Sequence, residues 1–128
     1  MNTTYFLNLV AGNVFGSKKS PAIPANYYIG VSKTNPASSV SEPSGGAYAR
    51  MQLTGLGAPS NGVVTNPADI SFPESTAVWG TVTHFVIYDA ATGGNLLMHG
   101  ALTSARSVEA NTILTIRSGS LKLTAANS

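Results

Sequence analysis

The side chains best able to do chemistry in this 128-residue chain are two histidines and five carboxylates. His84 and His99 fall in two consecutive apolar segments that we predict to be the strands of one hairpin, which could bring the imidazoles together. A metal site requires three or four ligands, and the sequence provides neither cysteine nor a nearby acidic pair to complete such a set. Both histidines are therefore predicted to be structural, hydrogen-bonded to a hydroxyl group or to water.

Other catalytic arrangements are as poorly represented. No serine stands in the GxSxG context of a nucleophile elbow. Asp69 and Glu74 lie five positions apart near a predicted strand end, whereas a carboxylate pair for sugar hydrolysis requires a fixed separation and a cleft. Gly45-Gly46 and Gly93-Gly94 lack the lysine and the following helix of a phosphate-binding loop, so we predict turns with positive φ there. The sequence predicts no catalytic residue, no cofactor and no metal.

Aromatic and basic side chains suggest binding rather than catalysis. Trp79 could stack on a sugar, but we favour a buried or subunit-interface cluster, because this residue stands where the chain enters its longest predicted strand. The other members of an aromatic group would be Tyr27, Tyr28, Tyr48 and Tyr88. Arg50 and Arg106 stand apart from other charges, and we expect them to make inter-strand or interface hydrogen bonds rather than to bind phosphate.

The chain is unusually poor in charge. Charged residues make up 9% of it, against about 25% in an average soluble domain, and the net charge is +2. Apart from Lys18-Lys19 the basic residues are scattered, so no basic patch for nucleic acid is predicted. A surface rich in Ser, Thr, Asn and Gly suits contact with other proteins better than free diffusion. No run of about 18 apolar residues occurs, so no membrane span is expected.

Residues 1–25 are predicted to form an N-terminal helix and an extended arm. The helical spacing of Phe6, Leu9, Val10 and Val14 indicates an amphipathic helix, with Thr3 or Thr4 as N-cap and Gly16 as C-cap. Pro21 and Pro24 indicate a connector after it. The helix could pack on its own domain or dock on a neighbouring subunit.

Residues 26–128 are predicted to form an antiparallel β-sandwich or jelly roll, because short strands alternate closely with turns that contain Gly or Pro. Thr34–Ala47 is predicted to be a long surface loop. In Val82–Tyr88, simple alternation places Phe85 and Ile87 on one face and the even-numbered residues on the other. The predicted strands are 26–33, 48–53, 63–64, 68–72, 82–88, 95–102, 112–117 and 120–124, the last two forming a hairpin around Ser118-Gly119.

Four segments resemble one family of small tailed-bacteriophage virion proteins, which are described either as tail fibre or as head decoration proteins. The segments are Tyr27–Ser32 with Pro36; Glu42–Arg50; Ile70–Pro73 with Trp79–Phe85; and Asp89–Leu97 with Gly100–Thr103. Together they span most of residues 26–125. The motifs mark turns and strand starts, so the resemblance implies a fold and a structural role and transfers no active residue.

Within this resemblance we favour a head decoration, or cement, protein, because the chain lacks the long repetitive shaft of a fibre. Such a protein would act on the capsid exterior, with the major capsid protein as partner and a homotrimer as the expected oligomer. It would be made in the host cytoplasm and would contact neither nucleic acid nor membrane. A tail or tail-fibre component contacting baseplate or receptor is the first alternative, and a carbohydrate-binding module is the second.

Two segments are predicted to make the contacts with other virion proteins. Asn2–Ala25 and Thr34–Ala47 are polar, rich in Pro or Gly, and long for connectors within so small a domain. The residues predicted to take part in interaction are Phe6, Leu9, Lys18, Lys19, Pro21, Pro43 and Trp79.

Overall fold

The computed structural model describes residues 3–15, 26–53, 63–66, 68–118 and 121–124. Within them, the helix and strands are α1 (Thr4–Val14), β1 (Tyr27–Ser32), β2 (Met51–Leu53), β3 (Val63–Thr65), β4 (Ile70–Ser71), β5 (Gly80–Tyr88), β6 (Leu96–Val108), β7 (Thr115–Ile116) and β8 (Lys122–Thr124). Every described strand pairing is antiparallel. The all-β antiparallel sandwich class with a short N-terminal helix is therefore confirmed, whereas jelly-roll connectivity stays a prediction.

The largest sheet has the strand order β2-β1-β5-β6, and β3-β8 and β4-β7 form two small sheets. The central strands supply fully buried side chains because both of their edges are paired and their inner face is apolar. Ile29, Val31 and Val82 each have no exposed surface, and Phe72 and Leu121 pack into the same cluster from outside this sheet. The core thus lies between the four-stranded sheet and the segments that surround the small sheets.

The predicted C-terminal hairpin is wrong. β7 pairs with β4, and β8 pairs with β3, so the two strands do not pair with each other. Asn66, which is almost completely buried, donates to the carbonyl of Arg117 at 3.0 Å and accepts from the amide of Leu121 at 2.9 Å. Because one side chain holds both ends of the intervening segment, the chain turns away from a hairpin. The alternation of apolar and polar residues in the sequence predicts both strands but does not predict which strands they pair with.

Strand β6 is longer than predicted and contains a large bulge. Val82 lies opposite Arg106 and His84 lies opposite Ala101, so residues 102–105 face the single residue Thr83 of β5. A bulge bends its strand and redirects the side chains that follow it. Apolar alternation ended the predicted strand at residue 102 because the bulge interrupts the pattern there.

The register shift also corrects the predicted faces of β5. Alternation placed Val82 together with His84 and Val86, on the face opposite Phe85 and Ile87. In the structure Val82 and Ile87 belong to the same buried cluster, and Phe85 packs against that cluster. One irregular position therefore reverses the face of every residue on one side of it.

Helix α1 packs on its own chain. Thr3 is the N-cap, as predicted, and its hydroxyl accepts from the amide of Phe6 at 3.2 Å. The amide of Thr3 donates to the carbonyl of Leu97 in β6 at 2.9 Å, and Leu9 is 3% exposed. The helix ends at Phe15, and the predicted C-cap Gly16 lies outside the described residues. Among the described residues, no helix is long and apolar enough to cross a membrane.

Candidate functional site

A partly buried ion pair forms the polar centre of the fold. Glu42 and Arg50 bond in a bidentate manner, with Nη2 2.6 Å from Oε1 and Nε 3.0 Å from Oε2. The Tyr48 hydroxyl donates to Glu42 at 2.6 Å and accepts from the amide of Val31 at 3.1 Å. The pairing of β1 with β2 ends at Ile29, so β2 provides no carbonyl for the amide of Val31. The Tyr48 hydroxyl supplies the hydrogen-bond acceptor that this backbone amide would otherwise lack. We call Glu42, Tyr48 and Arg50 the clamp.

Electrostatics favour the charged form of the clamp. Burial by itself would raise the pKa of Glu42, but the hydrogen bonds from Arg50 and Tyr48 and the positive charge of Arg50 outweigh it and lower that pKa. Burial, reinforced by the hydrogen bond to Glu42, strongly raises the pKa of Tyr48. The clamp is therefore a neutral phenol and an ion pair at physiological pH, and it stores no proton for acid–base chemistry.

Arg50 also holds the turn between β5 and β6. Its Nη1 donates to the carbonyls of Ala90 at 2.9 Å and Gly93 at 2.8 Å, and its guanidinium lies 3.6 Å from the centroid of the Tyr88 ring. The sequence predicts inter-strand or interface hydrogen bonds for Arg50; in the structure its hydrogen-bond partners lie in two loops of its own chain, not in strands. With Nε and both terminal nitrogens engaged inside the protein, Arg50 has little capacity left for a ligand.

The clamp explains a glycine in β1. A Cβ at Gly30 would lie 2.5 Å from the Tyr48 hydroxyl and 2.7 Å from Oε2 of Glu42, so no larger residue fits without moving the clamp. The segment Tyr27–Ser32 and the segment Glu42–Arg50 thus depend on each other sterically. Both segments belong to the motifs that carry the family resemblance. These two motifs therefore form one structural unit of the fold.

Trp79 is buried, as the preferred interpretation of the sequence had it. It is 3% exposed, and its indole N–H donates to the carbonyl of Gly46 at 2.8 Å. Its ring meets Tyr48 edge to face with centroids 5.2 Å apart, and Tyr48 also stacks on Phe72. The ring face of Trp79 is consequently not available to stack on a sugar.

The loop that precedes Trp79 is tied to the loop that follows β6. Ser75 is completely buried; its hydroxyl accepts from the amide of Thr112 at 3.0 Å and donates to the carbonyl of Glu109. Each of these two loops exposes one large apolar side chain. Val78, in the loop before Trp79, is 62% exposed, and Ile113, in the loop after β6, is 56% exposed. Neither was singled out from the sequence, because an isolated apolar residue in a loop carries no periodic signal.

The two histidines lie on paired strands, as predicted. His84 hydrogen-bonds the Thr83 hydroxyl through Nδ1 at 2.8 Å, and burial lowers the pKa of His99, with the charge of His84 adding to this effect. Among the described residues, no group of three His, Cys, Asp or Glu side chains could hold a metal ion. All four glycines predicted to adopt positive φ do so, namely Gly45, Gly46, Gly93 and Gly94.

The residues predicted to take part in interaction have different environments. Leu9, Pro43 and Trp79 are buried within the chain, and Phe6 is partly buried against the core. Lys18, Lys19 and Pro21 lie outside the described residues. The interaction roles stay predictions; the structure shows that most of the described members already pack against their own chain.

A second polar site, absent from the predictions, is a cavity of about 260 Å³ between the bulged part of β6 and the segment around β7. Arg106 and Arg117 both line it and are exposed. Among the described residues the only ion pair is the one in the clamp, so neither of these guanidinium groups is paired with a carboxylate. The side chain of Asp69 accepts from the amide of Ser118, directly after Arg117, at 2.7 Å. The remaining lining residues are Phe85, Ala101, Leu102, Ser104, Leu114, Thr115, Ile116 and Leu121. We call this the arginine cavity.

Sequence reasoning missed this cavity because it depends on two structural irregularities. Arg106 reaches it after the bulge in β6, and Arg117 reaches it because β7 pairs with β4 instead of β8. In the sequence the two arginines are simply isolated basic residues. The available signal was their occurrence near two apolar strands in a chain that has only seven basic residues.

The fold and its polar centre define a small antiparallel β-protein in which a partly buried ion pair fixes the loops. A family model described as Podophage GP4 fiber I protein gp80 matches residues 2–124. The chain therefore belongs to this family of bacteriophage virion proteins, and it has a structural role in the virion. No curated protein matches the sequence.

Proposed function

We propose that this chain is a non-enzymatic subunit of a fibre on a tailed-bacteriophage virion. The observation that carries the proposal is the match of nearly the whole chain, residues 2–124, to a family described as a fibre protein. The clamp supports it, because an ion pair, a cation–π contact and two loop carbonyls fix the chain from β1 to the β5–β6 turn. A subunit that transmits force or positions a receptor contact benefits from such rigid loops.

Self-association is part of the proposal, because a fibre is assembled from repeated copies. The sequence-based expectation is a homotrimer. Low charge and exposed Val14, Phe15, Val78 and Ile113 support contacts between copies or with other virion proteins. The measurement is the mass of the purified chain in solution across a range of concentrations.

Head decoration is the second candidate, favoured by the compact subunit and the absence of a repetitive shaft in the sequence. It assigns the chain to the capsid exterior and names the major capsid protein as partner. The two candidates differ in position on the particle and not in fold. Position is therefore the quantity to measure.

The test is immunogold labelling of intact virions with antibodies against the purified chain, together with co-sedimentation with heads and with tails that lack it. A fibre subunit places gold on appendages and restores binding to fibre-bearing structures only. Gold spread over the head, with saturable binding to heads at lattice numbers, would establish decoration and reject the fibre proposal.

A further inference from the structure

We propose that the arginine cavity binds one ring of a carboxylate-bearing saccharide, such as a uronic acid of a bacterial surface glycan. The biological setting rests on the proposed fibre function, since a fibre is the part of a virion that meets a cell surface. The chemistry of the site rests on the cavity itself. No residue of the clamp contributes to it.

The first argument is that the cavity is lined by two arginines, neither of which forms an ion pair within the described part of the chain. Arg106 in β6 and Arg117 directly after β7 contribute two guanidinium groups to one cavity. Like charges brought together on a wall attract an anion, and a guanidinium recognises a carboxylate through paired hydrogen bonds. Arg50 shows the contrast, because its carboxylate partner is supplied by the chain.

The second argument is that the cavity is built by specific backbone features. The bulge at residues 102–105 separates Arg106 from the regular part of β6. Asn66 fixes the backbone at Arg117 by donating to its carbonyl at 3.0 Å. Strand pairing and this hydrogen bond therefore hold the backbone that carries each arginine. Bulges occur preferentially where a side chain is redirected towards a binding site.

The third argument is the combination of an apolar wall with hydroxyl groups. Leu102, Ile116 and the ring of Phe85 give the cavity an apolar side, whereas Ser104 and Thr115 add hydroxyls that can donate and accept. A sugar ring has the matching properties, with an apolar C–H face and a hydroxylated edge. A uronic acid adds the carboxylate that the arginines require.

Size points to a single ring. The cavity volume of about 260 Å³ lies just below the range of roughly 300–1,000 Å³ typical of sites for drug-sized ligands. The apolar side of the cavity and its two hydroxyl groups match the two faces of a sugar ring, so we argue for the saccharide. A short acidic peptide, which could also reach the edge strand β6, is an outcome of the test.

A substitution at Gly100 can displace Phe85, which forms part of the apolar side of the cavity. A Cβ at Gly100 would lie 2.7 Å from Cε1 and 2.8 Å from Cζ of Phe85, so Gly100→Ala must displace that ring. Phe85 lines the cavity, whereas Gly100 does not. The substitution therefore perturbs the cavity without removing either cation.

The experiment is an NMR titration of the full chain with D-galacturonate, and with D-galactose as the matched neutral sugar. Saturable shifts are expected for amides in residues 101–106 and 114–117. The Kd for galactose should be at least about tenfold higher, because one charge-assisted interaction is lost. Arg106→Gln and Arg117→Gln should each raise the Kd for galacturonate by at least about tenfold, whereas Lys33→Gln, which removes an exposed charge elsewhere, should leave it unchanged.

Thermal unfolding of each variant verifies that the fold survives; both cavity arginines are exposed, so little change is expected. Equal binding of galactose, or an unchanged Kd in both arginine variants, would overturn the proposal. Inorganic phosphate shifting the same amides as strongly as galacturonate would show a simple anion site and reject the saccharide. Preferential binding of a short glutamate-containing peptide would reassign the cavity to a protein partner. None of these results alters the position measured on the virion, so this proposal and the fibre proposal fail separately.

Discussion

The clamp and the arginine cavity use the same side chain in opposite ways. Arg50 is 8% exposed at its side chain and bonds a carboxylate, two carbonyls and an aromatic ring. Arg106 is exposed beside a cavity and has no carboxylate partner among the described residues. An arginine whose partners come from its own chain stabilises the fold, whereas one without partners is available to a ligand. Residue type alone does not distinguish the two cases.

The largest expected effect is that of Arg50→Met compared with Arg106→Met. The first variant leaves the partly buried carboxylate of Glu42 without its counter-charge and frees the carbonyls of Ala90 and Gly93, so the free energy of unfolding should fall by about 2–3 kcal/mol. The second removes an exposed side chain and should change it by no more than about 0.5 kcal/mol. Urea unfolding of both variants measures the difference. Equal losses would mean that the two arginines do not differ in structural role.

Asn66→Ala should have the next largest effect on stability. The side chain is 2% exposed and bonds the carbonyls of Ala68 and Arg117 and the amide of Leu121. Removing it leaves buried polar groups unsatisfied, at a cost of about 2 kcal/mol. Because Asn66 also bonds the backbone carbonyl of Arg117, which lines the cavity, galacturonate binding should weaken in the folded variant.

The matched control is Gln52→Ala, which removes an exposed amide group that donates to Asn26 at 2.7 Å and lies outside the cavity lining. It should cost well under about 1 kcal/mol. Loss of stability in Asn66→Ala without any change in galacturonate affinity would separate Asn66 from the cavity and weaken the argument for a positioned Arg117.

Gly100→Ala should affect stability less and the cavity more. Displacement of the Phe85 ring is a case of overpacking, for which about 1 kcal/mol is expected because Phe85 is only partly buried. The affinity for galacturonate should change while the clamp stays intact. The readouts are the unfolding midpoint and the NMR titration, and a variant with wild-type affinity would show that the ring does not contribute to binding.

The sequence specified the strands better than their partners. Aromatic and β-branched residues identified β1, a largely apolar run identified β5, and local chemistry limited the N-cap to Thr3 or Thr4. The bulge in β6 and the pairing of β7 with β4 depend on contacts between residues far apart in the chain, which no local period reports. Local patterns therefore gave the fold class and left the topology open.

The clamp was within reach of the sequence, whereas the cavity was not. Glu42 and Arg50 are two of only 12 charged residues (seven basic and five acidic), and they flank a glycine-rich turn within one motif. Opposite charges so placed in a chain this poor in charge suggest an ion pair. Arg106 and Arg117 gave no comparable signal, because their proximity is created by the bulge and by the small sheet.

The smallest expected effect is on the pH dependence of the free energy of unfolding, which should involve the clamp and not the arginine cavity. The pKa of Glu42 is lowered below its ordinary value of 4.5 in the folded chain, so the clamp contributes its full stability above about pH 4.5 and loses it as the pH falls through the folded-state pKa. Glu42→Gln removes this titration. The difference in unfolding free energy between wild type and Glu42→Gln should therefore shrink between about pH 6 and about pH 3.5. Arg106→Met, which carries no carboxylate partner, should differ from wild type by the same small amount at both pH values; a pH-dependent difference there would reveal an acidic partner and contradict an unpaired cavity arginine.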